Sequence, residues 1–202
     1  APTNAPTNAP TNASTNAPTT MMPSEPTPTA PSSTGNNCGE NADTSILNYV
    51  CTQAIYDLAC QAFIKAGLSE LLGGIIVAAE DSIITVYVPT NDGMEAAGYT
   101  SSYIDYISGA HELETIMTSH IIRGSLTVDQ LVCNEHITTI LEGAASSVKI
   151  GCPYDGSISS KTISGFYNDG SDTPTILAPS DIALCNGLVQ PLSHVILVTE
   201  PH

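Results

Sequence analysis

Cys38, Cys51, Cys60, Cys133, Cys152 and Cys185 are the residues of this chain best equipped for covalent or metal chemistry, and their number is even. Two chemistries compete for them. Zinc needs closely spaced ligands, and the sequence offers no Cys-x-x-Cys pair and no Cys/His cluster with finger-like spacing. Disulfides need an oxidising compartment and chain geometry that brings two Cα atoms within ~4.4–6.8 Å. The expectation is therefore three disulfides, no free thiol and no metal. Cys51 and Cys60 would lie ~13 Å apart on an unbroken helix, so they can pair only if the chain turns near Thr52 to Gln53. Connectivity otherwise stays open.

His120 is the other residue able to act as base or ligand. A catalytic role needs a nucleophile or a second ligand, and no Gly-x-Ser-x-Gly or His-Glu-x-x-His is present; His111-Glu112 fails the spacing. With no catalytic residues identified, the expectation is a non-enzyme without a cofactor. Leu113, Ile116, Met117 and His120 share one helical face, which points His120 into the core. A buried imidazole needs partners, and the corner around Asn91 and Asp92 is expected to supply them. Asn168-Asp169-Gly170-Ser171-Asp172 lacks the acidic pattern and closing Glu of a calcium loop and reads as a solvated turn.

The elements that must position these residues begin with Ile83 to Val88, a β-branched and aromatic run that predicts a buried strand. Pro89 ends it, and Thr90, Asn91 and Asp92 are each suited to cap a following helix. Upstream, Ile46, Leu47 and Val50 predict a short helix. Ile55, Leu58, Ala59, Ala62 and Phe63 form an amphipathic stripe, closed by Gly67. Downstream, helices are expected over 102–107 and 111–118, a strand at Ile121-Ile122, and a brief helix over 128–132 capped by Thr127. Residues 137–141 and 147–151 read as a hairpin around Gly143, with Cys133 and Cys152 near its open end. Strands near 158–163, 175–177, 182–184 and 195–198 complete the sheet. Helices precede most strands, which predicts an α+β fold.

Of the 202 residues, 42% are hydrophobic, enough for one domain with a core. Four Lys and Arg stand against twenty Asp and Glu, a net charge of −16, which repels nucleic acid and anionic membranes. No run approaches the ~18 apolar residues of a membrane span. Residues 1–36 repeat Ala-Pro-Thr-Asn and then become Pro/Ser/Thr-rich, which predicts a disordered spacer. Such composition marks O-glycosylated stalks, and Asn12 heads the plain N-glycosylation acceptor, Asn12-Ala13-Ser14. The start without Met or signal sequence is read as a trimmed product; the last residues, Thr-Glu-Pro-His, carry no hydrophobic anchor signal, and removal of one by the same trimming stays open.

Three stretches, in order, resemble the motifs of the fasciclin-like (FAS1) domain. Thr85 to Met94 is similar to the strand that runs into Pro-Thr-Asn-Asp. Ser119-His120-Ile121-Ile122-Arg123-Gly124 resembles the Tyr-His motif, with Ser119 in the usual Tyr position. Asn186-Gly187-Leu188-Val189 resembles the final motif, with Gln190 replacing His and Val195 to Val198 as the closing strand. Cys133, Cys152, Cys185 and the Pro-Thr-Asn tail are similar to those of algal and stramenopile members.

The resemblance implies a single fasciclin-like domain over 41–201, with N-terminal helices and a β-sheet wedge, secreted or displayed at the cell surface. It implies an adhesion or matrix module whose partner is a surface protein or polysaccharide, and a structural role for Thr90, Asn91, Asp92, His120, Asn186 and Gly187. Asp181-Ile182 resembles an Asp-Ile element that contacts integrins in animal relatives. The alternative is an apolar-ligand carrier of carotenoid type, with Ile75-Ile76-Val77, Met94 and Met117 contributing to a groove.

Overall fold

A computed structural model describes Cys38 and residues 42–74, 83–107, 110–143, 146–153 and 161–199, all within one compact unit, Ser33–His202. The repeat tail, Asn12 and Ile75 to Val77 lie outside the described residues, as does the first half, 158–160, of the strand expected near 158–163.

The order of elements begins with helices α1 (Ile46–Thr52), α2 (Asp57–Lys65) and α3 (Ser69–Leu72), followed by strand β1 (Ile84–Pro89). Helices α4 (Asn91–Ala96), α5 (Ser101–Tyr106) and α6 (Ala110–Ser119) lead to β2 (Ile121–Arg123). The rest is mostly strand: β3 (His136–Thr138), β4 (Ser147–Gly151), β5 (Thr162–Ser164), β6 (Ile182–Leu184) and β7 (Gly187–Leu192). This is an α+β chain with helices first.

The strands form two sheets. The first has the order β2-β1-β7-β6, with β1 and β7 parallel and both outer pairs antiparallel. All six residues of β1 and all six of β7 are buried, as expected for the paired centre of a covered sheet. β7 tolerates Pro191 because β6 pairs only with Gly187 to Val189, so that flank demands no donor from position 191. The second sheet is the antiparallel set β3-β4-β5. Bridges from Thr175 to Thr162 and from Ile176 to Leu192 tie the two sheets together.

Two sequence expectations are corrected here. Val195 to Val198 is buried but is not a strand; the closing strand is β7, eight residues earlier at its start (187 against 195). Its Gln and Pro break the apolar run that marks strands in the sequence, while 195–198 carries the stronger β-branched signal. Ile55 is 53% exposed, and Tyr56 takes the inward position, because a 3-10 turn over Ala54–Tyr56 rotates the stripe before α2 begins.

That turn also decides the first disulfide. α1 ends at Gln53, whose φ of −97° and ψ of 114° are extended, so the chain doubles back. Cys51 and Cys60 thereby come to a Cα separation of 5.1 Å and bond. Cys133 and Cys152 bond across the start of β3 and the end of β4, 5.6 Å apart at Cα. Cys38 bonds to Cys185, closing 147 residues of sequence. The core beneath joins α2 and α6 to β1, with Phe63, Leu72, Tyr87, Met94, Leu113, Ile116 and Met117 fully enclosed.

Candidate functional site

The corner after β1 is built by short polar side chains. Thr90 caps α4, its hydroxyl accepting from the Gly93 N–H at 3.3 Å. Asn91 reaches back 37 residues: its carboxamide oxygen accepts from the Leu58 N–H at 3.0 Å, and its nitrogen donates to the Ala54 carbonyl at 2.8 Å. It thus secures the turn that enters α2. Asp92 is exposed in the first turn of α4, where a negative charge complements the helix dipole.

His120 follows α6 and is completely buried. Its partners are not Asn91 and Asp92, which corrects the sequence expectation; the Asn91 amide is already committed to the α2 turn. Instead the Ile196 N–H donates to Nε2 at 2.9 Å, which leaves Nδ1 to carry the proton and donate to the Ile116 carbonyl at 2.7 Å. The tautomer is fixed by these two bonds. Burial holds the imidazole pKa down at about 4, although the Ile116 carbonyl opposes part of that shift. A proton added at Nε2 would face the Ile196 N–H, donor against donor. The ring is a neutral lock between the end of α6 and the C-terminal segment.

Asn186 and Gly187 perform a similar task at the start of β7. The Asn186 oxygen accepts from the Ile46 N–H at 3.0 Å, and its nitrogen donates to the Leu72 carbonyl at 2.8 Å, so one amide joins α1, α3 and β7. Gly187 has φ of +146°, and a Cβ there would stand 1.8 Å from the Ile84 carbonyl oxygen. Only glycine allows β7 to enter beside β1 at this point.

The chain belongs to the fasciclin domain family. The family model matches residues 56–198, which include all three motif regions. Among solved structures, the FAS1 domain pair from the insect cell adhesion molecule fasciclin I is similar over 76% of this chain, with a TM-score of 0.53 and 14% identity. At that identity the likeness concerns the fold. The chain spans about half of that structure, 51% of its length, so it corresponds to one fasciclin domain of a pair in extent. No curated protein matches the sequence.

Within this fasciclin domain several polar residues carry roles that motif reading passed over. Gln190 is fully buried in β7 and exchanges bonds with Asp181: its oxygen accepts from the Asp181 N–H at 2.9 Å, and its nitrogen donates to the Asp181 carboxylate and to the Leu126 carbonyl. Asp181, at φ of +56°, also accepts from the Val128 N–H at 2.8 Å. The carboxylate of the Asp181-Ile182 element is therefore committed within the fold, and Ile182 is half-buried on β6. Lys161 is buried and donates to the Val128 and Leu131 carbonyls, both at 2.7 Å. A polar residue inside an apolar strand, Gln190 between Val189 and Pro191, was the one sequence signal for this network.

Met94 and Met117 are fully enclosed in the core, which removes them as lining for an exposed apolar groove. Among the described residues no group of three His, Cys, Asp or Glu is placed to hold a metal ion, and no helix is long and apolar enough to cross a membrane. The turn at Asn168 is braced from within: the Asn168 oxygen accepts from the Gly165 and Leu197 N–H groups, both at 2.9 Å, and its nitrogen donates to the Val195 and Asp172 carbonyls.

Proposed function

We propose that this chain is a non-catalytic adhesion module, secreted or displayed at a cell surface, that engages matrix or cell-surface partners. The observation that carries the reading is the fasciclin match over 56–198, because that family is known for cell-adhesion and extracellular-matrix roles. Three disulfides support an oxidising compartment. The polar residues most able to do chemistry, His120, Asp181, Gln190 and Lys161, are all engaged by backbone or by one another, which favours a structural use for each. The Pro/Thr/Asn-rich residues 1–36 serve in this reading as a glycosylated spacer that carries Asn12.

Single domains of this kind bind weakly, and adhesion arises from many copies in an array. Beads coated densely with the full chain should adhere to native extracellular matrix, while soluble monomer competes poorly. Beads carrying a chain without residues 1–36 should adhere less at the same coating density, although the soluble monomers bind alike. Absence of adhesion by densely coated full chain would overturn the module reading. Loss of monomer binding on truncation would make the tail the binding element and overturn its role as spacer.

A further inference from the structure

We propose that the outward face of the second sheet, together with the turn after β5, is a binding groove for a neutral oligosaccharide. The inference rests on the adhesion reading and names its partner class and face.

The sheet register sets the geometry. His136 pairs with Lys149 and Lys149 with Ser164, so these three form one row across β3, β4 and β5. Ser147 lies two residues before Lys149 and shares its face. The opposite face is core, with Val148, Ile150 and Ile163 fully buried. The outward row is therefore polar and rich in donors. It borders an open groove of about 650 Å³, whose wall is completed by Phe166 and Tyr167. That volume falls in the ~300–1,000 Å³ range of small-ligand sites.

The wall is unusual for this chain. It has two phenylalanines; Phe63 is 0% exposed, whereas Phe166 is 85% exposed. The turn that presents Phe166 is held firmly. Gly165 packs so closely that a Cβ would meet the Leu197 carbonyl at 2.3 Å, the Tyr167 N–H donates to that same carbonyl, and Asn168 braces both sides. Tyr167 meets Phe166 edge-on, with ring centroids 5.2 Å apart, so the two rings stand side by side on a turn whose backbone is already held in place. An exposed ring on a pinned turn beside a row of hydroxyl, imidazole and ammonium groups matches the two chemistries of a sugar: an apolar C–H face and a rim of hydroxyls.

Charge selects the class. The chain carries −16, and Lys149 is the single Lys or Arg of the groove, with Glu135 beside His136 and Asp169 beyond Asn168. Among the described residues His111 pairs with Glu114, away from the groove, and no carboxylate lies within ion-pair distance of Lys149, which leaves its ammonium to donate outward. Such a field repels a polyanion, and a polar sheet face does not suit a wholly apolar ligand. A neutral glycan meets neither objection.

The test titrates the full chain with glucan, mannan and xylan oligosaccharides, and with a galacturonate oligosaccharide as the anionic comparator, by calorimetry and ligand-observed NMR. At least one neutral oligosaccharide should bind, and Phe166→Ala should weaken it by about tenfold or more without changing the circular dichroism or melting curve. Lys149→Ala, another exposed position, should weaken it as well. Tyr106→Ala removes an equally bare ring, 86% exposed on α5, and should leave binding unchanged. The proposal is overturned if no neutral oligosaccharide binds, if Phe166→Ala binds as tightly as the native chain, or if galacturonate binds best. Adhesion of coated beads separates the two readings. Native beads that adhere while no neutral oligosaccharide binds refute the groove and leave the adhesion module standing, whereas native beads that fail to adhere refute the module itself.

Discussion

Acidification should act on this fold through His120, and the size of the effect follows from the structure. The unfolded imidazole titrates at 6.5 and the folded one at about 4, because burial disfavours the charged ring. Above pH 6.5 both states are neutral and the full stability is present. As pH falls below that value the unfolded chain takes up a proton that the folded chain refuses, so stability falls until about pH 4. The difference between those pKa values corresponds to about 3 kcal/mol, at ~1.4 kcal/mol per unit. Other groups titrate in the same range, so the measurement is a difference between two proteins. His120→Gln keeps an acceptor for the Ile196 N–H and removes the titration. Urea unfolding with disulfides intact, at a series of values between about pH 7.5 and pH 4, gives a stability curve for each. The variant should be weaker near neutrality by about 1–3 kcal/mol, since its amide cannot match both imidazole bonds. The native curve should then approach it by about 3 kcal/mol towards pH 4. Parallel curves would refute the neutral, doubly bonded imidazole.

Three further outcomes are expected. Tyr87 is fully buried in β1 and its hydroxyl has no hydrogen-bond partner among the described residues, while burial and the Asp181 charge push its phenol pKa up; Tyr87→Phe should therefore hold or raise urea stability, by up to about 1 kcal/mol, and a clear loss would reveal a partner for that hydroxyl. Gly187→Ala should prevent close pairing of β1 with β7 and cost about 3 kcal/mol or more, read as a lowered melting temperature or loss of folded product; native-like melting would refute the steric argument. Removing the Cys38–Cys185 bridge by paired Ala substitutions should cost up to about 5 kcal/mol on a chain-entropy basis, against roughly 3 kcal/mol for Cys51–Cys60, whose loop spans only 9 residues against 147; equal losses would show that loop length does not govern these bridges.

How far the sequence carried depended on whether a feature was local. β1 and its Thr90 cap were legible because a β-branched run, a proline and a capping hydroxyl are adjacent in the chain. The condition for the Cys51–Cys60 bridge was legible too, since helical rise alone required a break, and the break lies at Gln53. The partners of His120 were not. Burial of the ring follows from its helical face, yet the bond to Ile196 spans 76 residues and depends on how the C-terminal segment returns across the core. β7 was misplaced for a related reason: its pairing with β1 on one side and β6 on the other outweighs the weak strand propensity of Gly187, Gln190 and Pro191.

The motif side chains that identify the family mostly point inward. Asn91, His120 and Asn186 each join elements distant in sequence, and each spends its hydrogen-bonding capacity on backbone groups. Gly187 acts through the side chain it lacks. These residues tie distant parts of this chain together, and for the same reason they contribute little to what the domain meets outside. Recognition must then reside where the fold makes no demand on residue type. Lys149 and Phe166 satisfy that condition: both are exposed, and neither side chain is required to complete a strand pair or a cap. Substitutions there should change what the domain holds, whereas substitutions at Asn186 or His120 should change whether it stays folded. A loss of binding at Phe166 accompanied by an equal loss of stability would break that division.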